Sequence, residues 1–339
     1  MKPSGIGGMA TIEGVMMRNK DEYAIAVRKP NKEIVVEKKE YKSFSNKVKL
    51  FKLPIFRGIL SFIESLVIGM KVINFSASFF EDEEDEDVNE KTSESGNIWV
   101  MIAAVVLALA ITILLFMVLP VVISNFIAGW IDNRFWLNLI EGLIRIGIFI
   151  GYVLLASRME EIQRVFQYHG AEHKAINCIE HGFELNIENV RWQSKEHKRC
   201  GTSFVFYVII ISLIVFIILP PMDIGPRIIS RILLLPLISG ISYEFIRLAG
   251  KSENIIVNLL SKPGLLMQKL TTKEPEDDMI EVAIEAVEAV FDWQAFIEAA
   301  PADESNFLTS ENDTKDKEKE DDIEEEEEDD ILKALDKYL

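Results

Sequence analysis

The chain has 339 residues, 49% of them hydrophobic, a mean hydropathy of +0.17 and a formal charge of −18 from 54 acidic against 36 basic residues. An excess of acid predicts no nucleic-acid partner, since such binding rests on basic surface. The pairing of high hydropathy with high charge also excludes one evenly mixed soluble domain, because the two properties fall in different segments.

Residues 1–50 read as a small β-rich unit. Tyr23–Arg28 and Glu33–Glu37 are strand-like runs around the turn signal Lys29-Pro30-Asn31-Lys32, with imperfect alternation. Gly5-Ile6-Gly7-Gly8 suits a tight turn and, with no Gly-Lys-Ser/Thr after it, is not a P-loop. No basic stretch leads into an apolar run at the start, so no cleavable signal peptide is expected. Residues 51–80 are long enough to span a membrane. Yet Arg57, Ser61, Glu64, Lys71, Asn74 and Ser78 line one narrow face, which predicts an interfacial or bundle-packed amphipathic helix with a solvated or ion-paired stripe. Residues 81–97 form an acidic linker expected to be disordered.

Four apolar runs, 98–119, 137–156, 204–219 and 228–248, meet the length for crossing a bilayer, and the first ends at Pro120. The expected fold class is therefore a mainly α-helical polytopic membrane protein. It has about four transmembrane helices and a small β-rich amino-terminal cytoplasmic unit. The connections at 121–136 and 221–227 carry one basic residue each, Arg134 and Arg227. The segment 157–203 carries Arg158, Arg164, Lys174, Arg191, Lys195, Lys198 and Arg199, which predicts that it and both termini are cytoplasmic. Within the second span Glu141 and Arg145, four apart, should pair, and Gly147 with Gly151 forms a small-residue face suited to close helix contact. At the cytoplasmic end of the fourth span, Glu244 could face the 157–203 loop. Residues 249–300 form a cytoplasmic segment whose stretch from Asp277 repeats Ile280, Ile284, Val287, Val290 and Phe291 at helical spacing, an amphipathic helix expected to dock on a neighbour. The tail, 301–339, is acidic and expected to be disordered.

All 4 histidines and both cysteines lie in the one cytoplasmic loop. His169 and His173 share a helix face, so both imidazoles can reach one metal, with Glu172 beside them. His-x-x-Glu-His is the inverted zincin order, in which the glutamate takes a proton from the water that the metal activates. His197 or Cys200 could complete the donor set, as could Glu180, Glu184 or Glu188. Satisfied structural histidines are the competing reading, and Gly170 within the motif costs a helix about 1 kcal/mol. Cys178 suits a buried apolar position, whereas Cys200 in Lys198-Arg199-Cys200-Gly201 has cations beside it that favour a thiolate, so a cysteine nucleophile with a histidine base is a rival chemistry. Zinc is the expected divalent ion from mixed nitrogen, oxygen and sulfur donors, with manganese or iron as alternatives.

Four motifs together resemble a known family: Gly7–Arg18, Tyr168–Ala175, Arg199–Phe204 and Thr271–Pro275. They are similar to the YqhQ-like bacterial membrane proteins, a domain-of-unknown-function family catalogued as predicted metal-dependent enzymes. The resemblance runs from about Gly5 to Phe291 and implies that Glu13, Arg18, His169, Glu172, His173, Arg199 and Cys200 are motif positions. The chemistry of the loop residues gives the expectation of a metal-dependent hydrolase at the cytoplasmic face of the bacterial plasma membrane. His169, His173 and His197 or Cys200 would hold the ion, Glu172 would be the base, and Arg18 or Arg199 would hold an anionic substrate. The competing function is a non-enzymatic factor that binds another membrane protein through the amino-terminal unit and the carboxy-terminal helix. A transporter is weaker, since few charges lie within the spans. Beyond the lipid bilayer, another membrane protein or a second copy of the chain is the partner to expect.

Overall fold

The computed structural model describes residues 3–44, 48–80, 94–131, 133–219, 222–252 and 254–299. The acidic runs at 81–87 and 316–330, expected to be disordered, lie outside the described residues.

The amino-terminal unit is an antiparallel meander of β1 (Gly7–Thr11), β2 (Gly14–Asn19), β3 (Glu22–Arg28) and β4 (Ile34–Glu40), in that order across the sheet. Gly7 and Gly8, expected in a turn, instead open β1 opposite Arg18 and Met17. The imperfect alternation has a physical cause. Tyr23-Ala24-Ile25-Ala26-Val27 is buried on both faces, so neither face needs polar residues. Val15, Met17, Ala24 and Ala26 pack on one side with α5 (Glu160–Glu180) and α10 (Asp277–Glu288). On the other side Met16, Tyr23, Ile25 and Val27 pack on Ile68 and Val72 of α1 (Phe56–Ala77). The apolar faces of the sheet and of α10 are thus both covered within the chain. Each fully buried aliphatic side chain in these layers contributes about 1.5–3 kcal/mol.

Five helices are long and apolar enough to cross a membrane: Phe56–Ala77, Ala103–Trp130, Phe135–Ala156, Gly201–Ile218 and Ile224–Ala249. The fifth beyond the expected four is α1. Its polar stripe is engaged: Arg57 forks Glu244, while buried Glu64 accepts from Ser43 Oγ at 2.9 Å and from the Phe44 amide at 2.8 Å. Glu244 therefore pairs with Arg57 and Arg247 and does not serve the histidine segment, contrary to expectation. The reason is packing: Gly58 of α1 lies against Gly240 and Tyr243, which sets Arg57 over the last turns of α8 (Ile224–Ala249).

The first membrane run also departs from expectation. Rather than ending at Pro120, α2 (Glu94–Ile113) passes through a π turn at Leu114–Val118 into α3 (Leu119–Ile127). Proline at 120 removes the amide that would bond the Phe116 carbonyl. That carbonyl instead accepts from Arg145 Nε at 2.8 Å, on α4 (Arg134–Ala156). A Cβ on Gly147 or Gly151 would meet nothing within 4 Å, so the expected small-residue contact is not formed among the described residues. Gly142 is the close-contact glycine of α4, facing Leu213 of α7 (Gly201–Ile218). A short α6 (Ile187–Arg191) precedes α7. After α8 comes α9 (Ile255–Thr271), whose Ser261 and Gly264 carbonyls accept from Tyr207 Oη and Ser203 Oγ, each at 2.9 Å. The last described helix is α11 (Trp293–Glu298).

Candidate metal centre

Helix α5 carries His169, Glu172 and His173, with Glu160 and Glu161 in its first turn, where carboxylates favour the helix dipole. The two imidazoles meet edge to face, with ring centroids 4.4 Å apart and planes inclined at 61°. Gly170 sits in this helix because the connection from α9 to α10 crosses it: the Lys273 carbonyl lies where a Cβ would stand, and the Lys273 amide donates to Phe166 O at 2.9 Å. Just before it, at the end of α9, the Thr271 carbonyl lies 2.9 Å from His169 Nδ1, while the Lys195 carbonyl lies 2.6 Å from His173 Nδ1. A carbonyl only accepts, so each Nδ1 carries a proton, which leaves Nε2 as the atom that would take a ligand, at His169 once it has given up the proton it shares with Cys200.

Cys200 caps the amino terminus of α7, its sulfur 3.2 Å from His169 Nε2 and 2.9 Å from Thr202 Oγ1. The donor atoms of His169, His173 and Cys200 all lie within 4.8 Å of one another. Glu172 is buried beside them, and its Oε2 has no hydrogen-bond partner. Gly8 of β1 permits that burial by donating its amide to Glu172, and a Cβ there would stand 2.9 Å from Glu172 Oε1. Two imidazole nitrogens and one sulfur are a donor set of the kind that zinc takes, and Glu172 stands outside that gathered set.

The electrostatics are those of a tightly coupled group. Burial works against the charged form of Cys200, but His169 and His173 beside it draw the thiol well below its ordinary range. Burial likewise opposes His169, yet the Cys200 sulfur raises it to about 9. Glu172 is raised by burial, with His173 and His169 pulling the other way.

The remaining sequence candidates fall elsewhere. His197 stands 5.7 Å from the His173 ring, but its Nε2 faces Glu180 at 3.5 Å, and its backbone is clamped on both sides by the Gln268 amide. Arg199 bonds Glu180 at 2.5 Å, and Ser4 bonds the same oxygen from both its amide and hydroxyl. Glu180 is thus an anchor, not a donor to the cluster. Burial resists its charge, but His197, Arg199 and Ser4 bring it down to about 2. Arg18 bonds the Lys20 carbonyl and lies over Tyr41 on β2, away from the cluster. Glu13, at a left-handed turn position, clamps Arg164 and Tyr168 of α5 and so fixes the hairpin to the helix. Cys178 is a buried core residue whose thiol burial pushes up to about 12, and both cysteines are free. Asn177, Glu180, His197 and Arg199 line a cavity of about 250 Å³, one imidazole away from the cluster.

Sequence reasoning missed the Thr271 and Lys195 carbonyls, which leave no signal because every residue has one. Gly170 did leave a signal: a glycine inside a helical motif marks a close backbone approach.

A family described as "Protein of unknown function (DUF1385)" matches residues 53–293. "Uncharacterized protein YqhQ" of Bacillus subtilis (strain 168) is 37% identical over 308 residues, covering 87% of this chain and 95% of that protein. No solved structure matches the chain.

Proposed function

We propose that this chain, which belongs to the DUF1385 family, is a metal-dependent hydrolase at the cytoplasmic face of a bacterial plasma membrane. The observation that carries this reading is the unpartnered, buried Glu172 Oε2 beside the three gathered donors of His169, His173 and Cys200. Three protein donors are the count of catalytic zinc sites, whereas structural sites use four. When bound, such a cation acidifies water and polarises a substrate oxygen. The protein's own part is to hold neutral imidazoles by their Nδ1 protons, to exclude bulk water by burial, and to accept the attacking water's proton at Glu172 Oε2. Substrate enters through the cavity beside His197 and Arg199 in this reading, and Arg18 has no part in it.

Parity supports four crossings. The sheet and α5 share one hydrophobic core, so they lie on one side of the membrane and an even number of crossings separates them. The α2–α3 run and α4 supply two, and a crossing by α1 would make three. Helix α1 then lies at the membrane surface between the sheet and the end of α8, with Ile63, Leu66, Met70 and Ile73 exposed for the lipid. The basic residues of the segment between α4 and α7 favour the cytoplasmic side for the histidines.

The test is metal content by mass spectrometry on untagged, detergent-purified protein. The wild type should hold a single equivalent of a transition metal, His169→Ala/His173→Ala should lose it, and Glu172→Gln should keep the metal but fail to complement a deletion strain. Absence of metal in the wild type after reconstitution with zinc, manganese and ferrous iron would overturn the reading, as would full complementation by Glu172→Gln.

A further inference from the structure

At the end of the bundle away from the histidines, charged groups gather around one carboxylate. Glu141 of α4 is 1% exposed, and its oxygens bond Arg145 one turn along and Arg227 and Arg231 of α8. Arg145 and Arg231 are themselves buried, at 4% and 2% exposed, and among the described residues Glu141 is the carboxylate partner of both. The other bonds of Arg145 go to neutral groups, the Phe116 carbonyl at 2.8 Å and Ser212 Oγ at 3.0 Å. Both guanidiniums also lie over the Phe216 ring, 5.0 and 4.8 Å from its centroid. Arg231 Nε is buried with no hydrogen-bond partner.

The charges do not balance. One carboxylate cannot offset both Arg145 and Arg231, which share it with Arg227, and arginine does not shed its proton to relieve the excess. An uncompensated cation inside an apolar bundle is costly, so the site attracts an anion. Forked guanidiniums supply donors in several directions, which suits a group with several oxygens better than a halide, while the hydroxyls of Ser124 and Ser212 already donate to the Val121 and Ile209 carbonyls. Along α7, Ser212 lies about 18 Å from Cys200 and about 9 Å from the helix end, at 1.5 Å per residue. The cluster is therefore remote from the metal centre and close to the opposite membrane surface.

We propose that Arg145 and Arg231, set around Glu141, form a binding site for a phosphate-type oxyanion, either a lipid headgroup phosphate or free inorganic phosphate. The π turn belongs to this site, since the carbonyl freed by Pro120 positions Arg145.

Thermal unfolding of the full-length protein in a phosphate-free maltoside, at constant ionic strength, tests this. Inorganic phosphate is titrated in one arm, phosphatidylglycerol mixed micelles in a second, and sodium chloride in a third. A saturable rise in Tm with phosphate identifies the free anion, and one with phosphatidylglycerol alone identifies the lipid. In either case Arg231→Gln should weaken the apparent affinity about tenfold or more, the effect of one charge-assisted bond. Should that variant not fold, Arg231→Lys keeps the charge, loses the fork and should weaken binding in the same direction. Native mass spectrometry of the wild type should show a retained phosphate-bearing mass. No saturable shift in the first two arms, an equal response to chloride, or an undiminished response in the folded variant would overturn the proposal.

Discussion

Replacing Gly170 by alanine reverses the usual sign of a helical substitution. In an unobstructed helix the change is worth about 1 kcal/mol of added stability. Here the new methyl would overlap the Lys273 carbonyl oxygen, which belongs to the backbone and cannot rotate away, and would press on Pro275 Cδ at 3.4 Å. Overpacking of this kind costs about 1–3 kcal/mol. Pushing this connection aside also endangers the Lys273 amide bond to Phe166, worth about 1 kcal/mol. The net expectation is a loss of roughly 1–3 kcal/mol, or a Tm lower by about 1–4 °C for a chain of this size. The same displacement moves the Thr271 carbonyl off His169 Nδ1, so metal affinity should fall at least about tenfold, as for other groups that orient a metal ligand. Thermal unfolding in detergent and competition with a chromophoric chelator read the two effects. Gly147→Ala, which opens onto free space, is the control and should be neutral or slightly stabilising. An unchanged Tm and unchanged metal retention in Gly170→Ala would refute the argument.

His197→Gln should leave metal stoichiometry unchanged, because its ring nitrogen faces Glu180, while lowering stability by about 1 kcal/mol through that lost contact; loss of metal by elemental analysis would make His197 a ligand. Glu180 has a folded value near 2 against an ordinary 4.5, so its contribution is present above pH 4.5 and disappears as pH falls towards 2. The size is at most about 3 kcal/mol. Urea titrations between pH 6 and 3 should show this fall shrink in Glu180→Gln, and an identical pH slope in both proteins would contradict the assignment. Ile280→Ala on α10 should cost about 2–5 kcal/mol and raise amide exchange in the sheet and α5 together, since all three share one core; exchange confined to α10 would show that the layers are independent. Under native conditions Cys178 should resist alkylation until the protein unfolds, since its thiol is buried and pushed up to about 12.

Much of this was legible in the sequence because it depends on local period. Apolar runs announced the spans, and the four-residue spacing of His169 and His173 announced a shared face before any contact was known. The pairing of Glu141 with Arg145 was legible on the same ground, whereas Arg231, ninety positions away in the chain, was not. Sheet order at the amino terminus was hidden because burial on both faces erases alternation from β3.

Chain order and hydrophobic period alone therefore determined the helical membrane architecture, the β-rich start and the histidine pair, all properties of residues a few positions apart. Only the tertiary structure decided that Cys200, and not His197, turns towards that pair. The clamp of Gln268 on the His197 backbone and the charge of Glu180 hold that imidazole away, and both act across long sequence distances. The tertiary structure likewise decided that α1 packs on the sheet through Ile68 and Val72 and on α8 through Gly58, contacts between residues far apart in the chain that its own hydrophobic period does not specify.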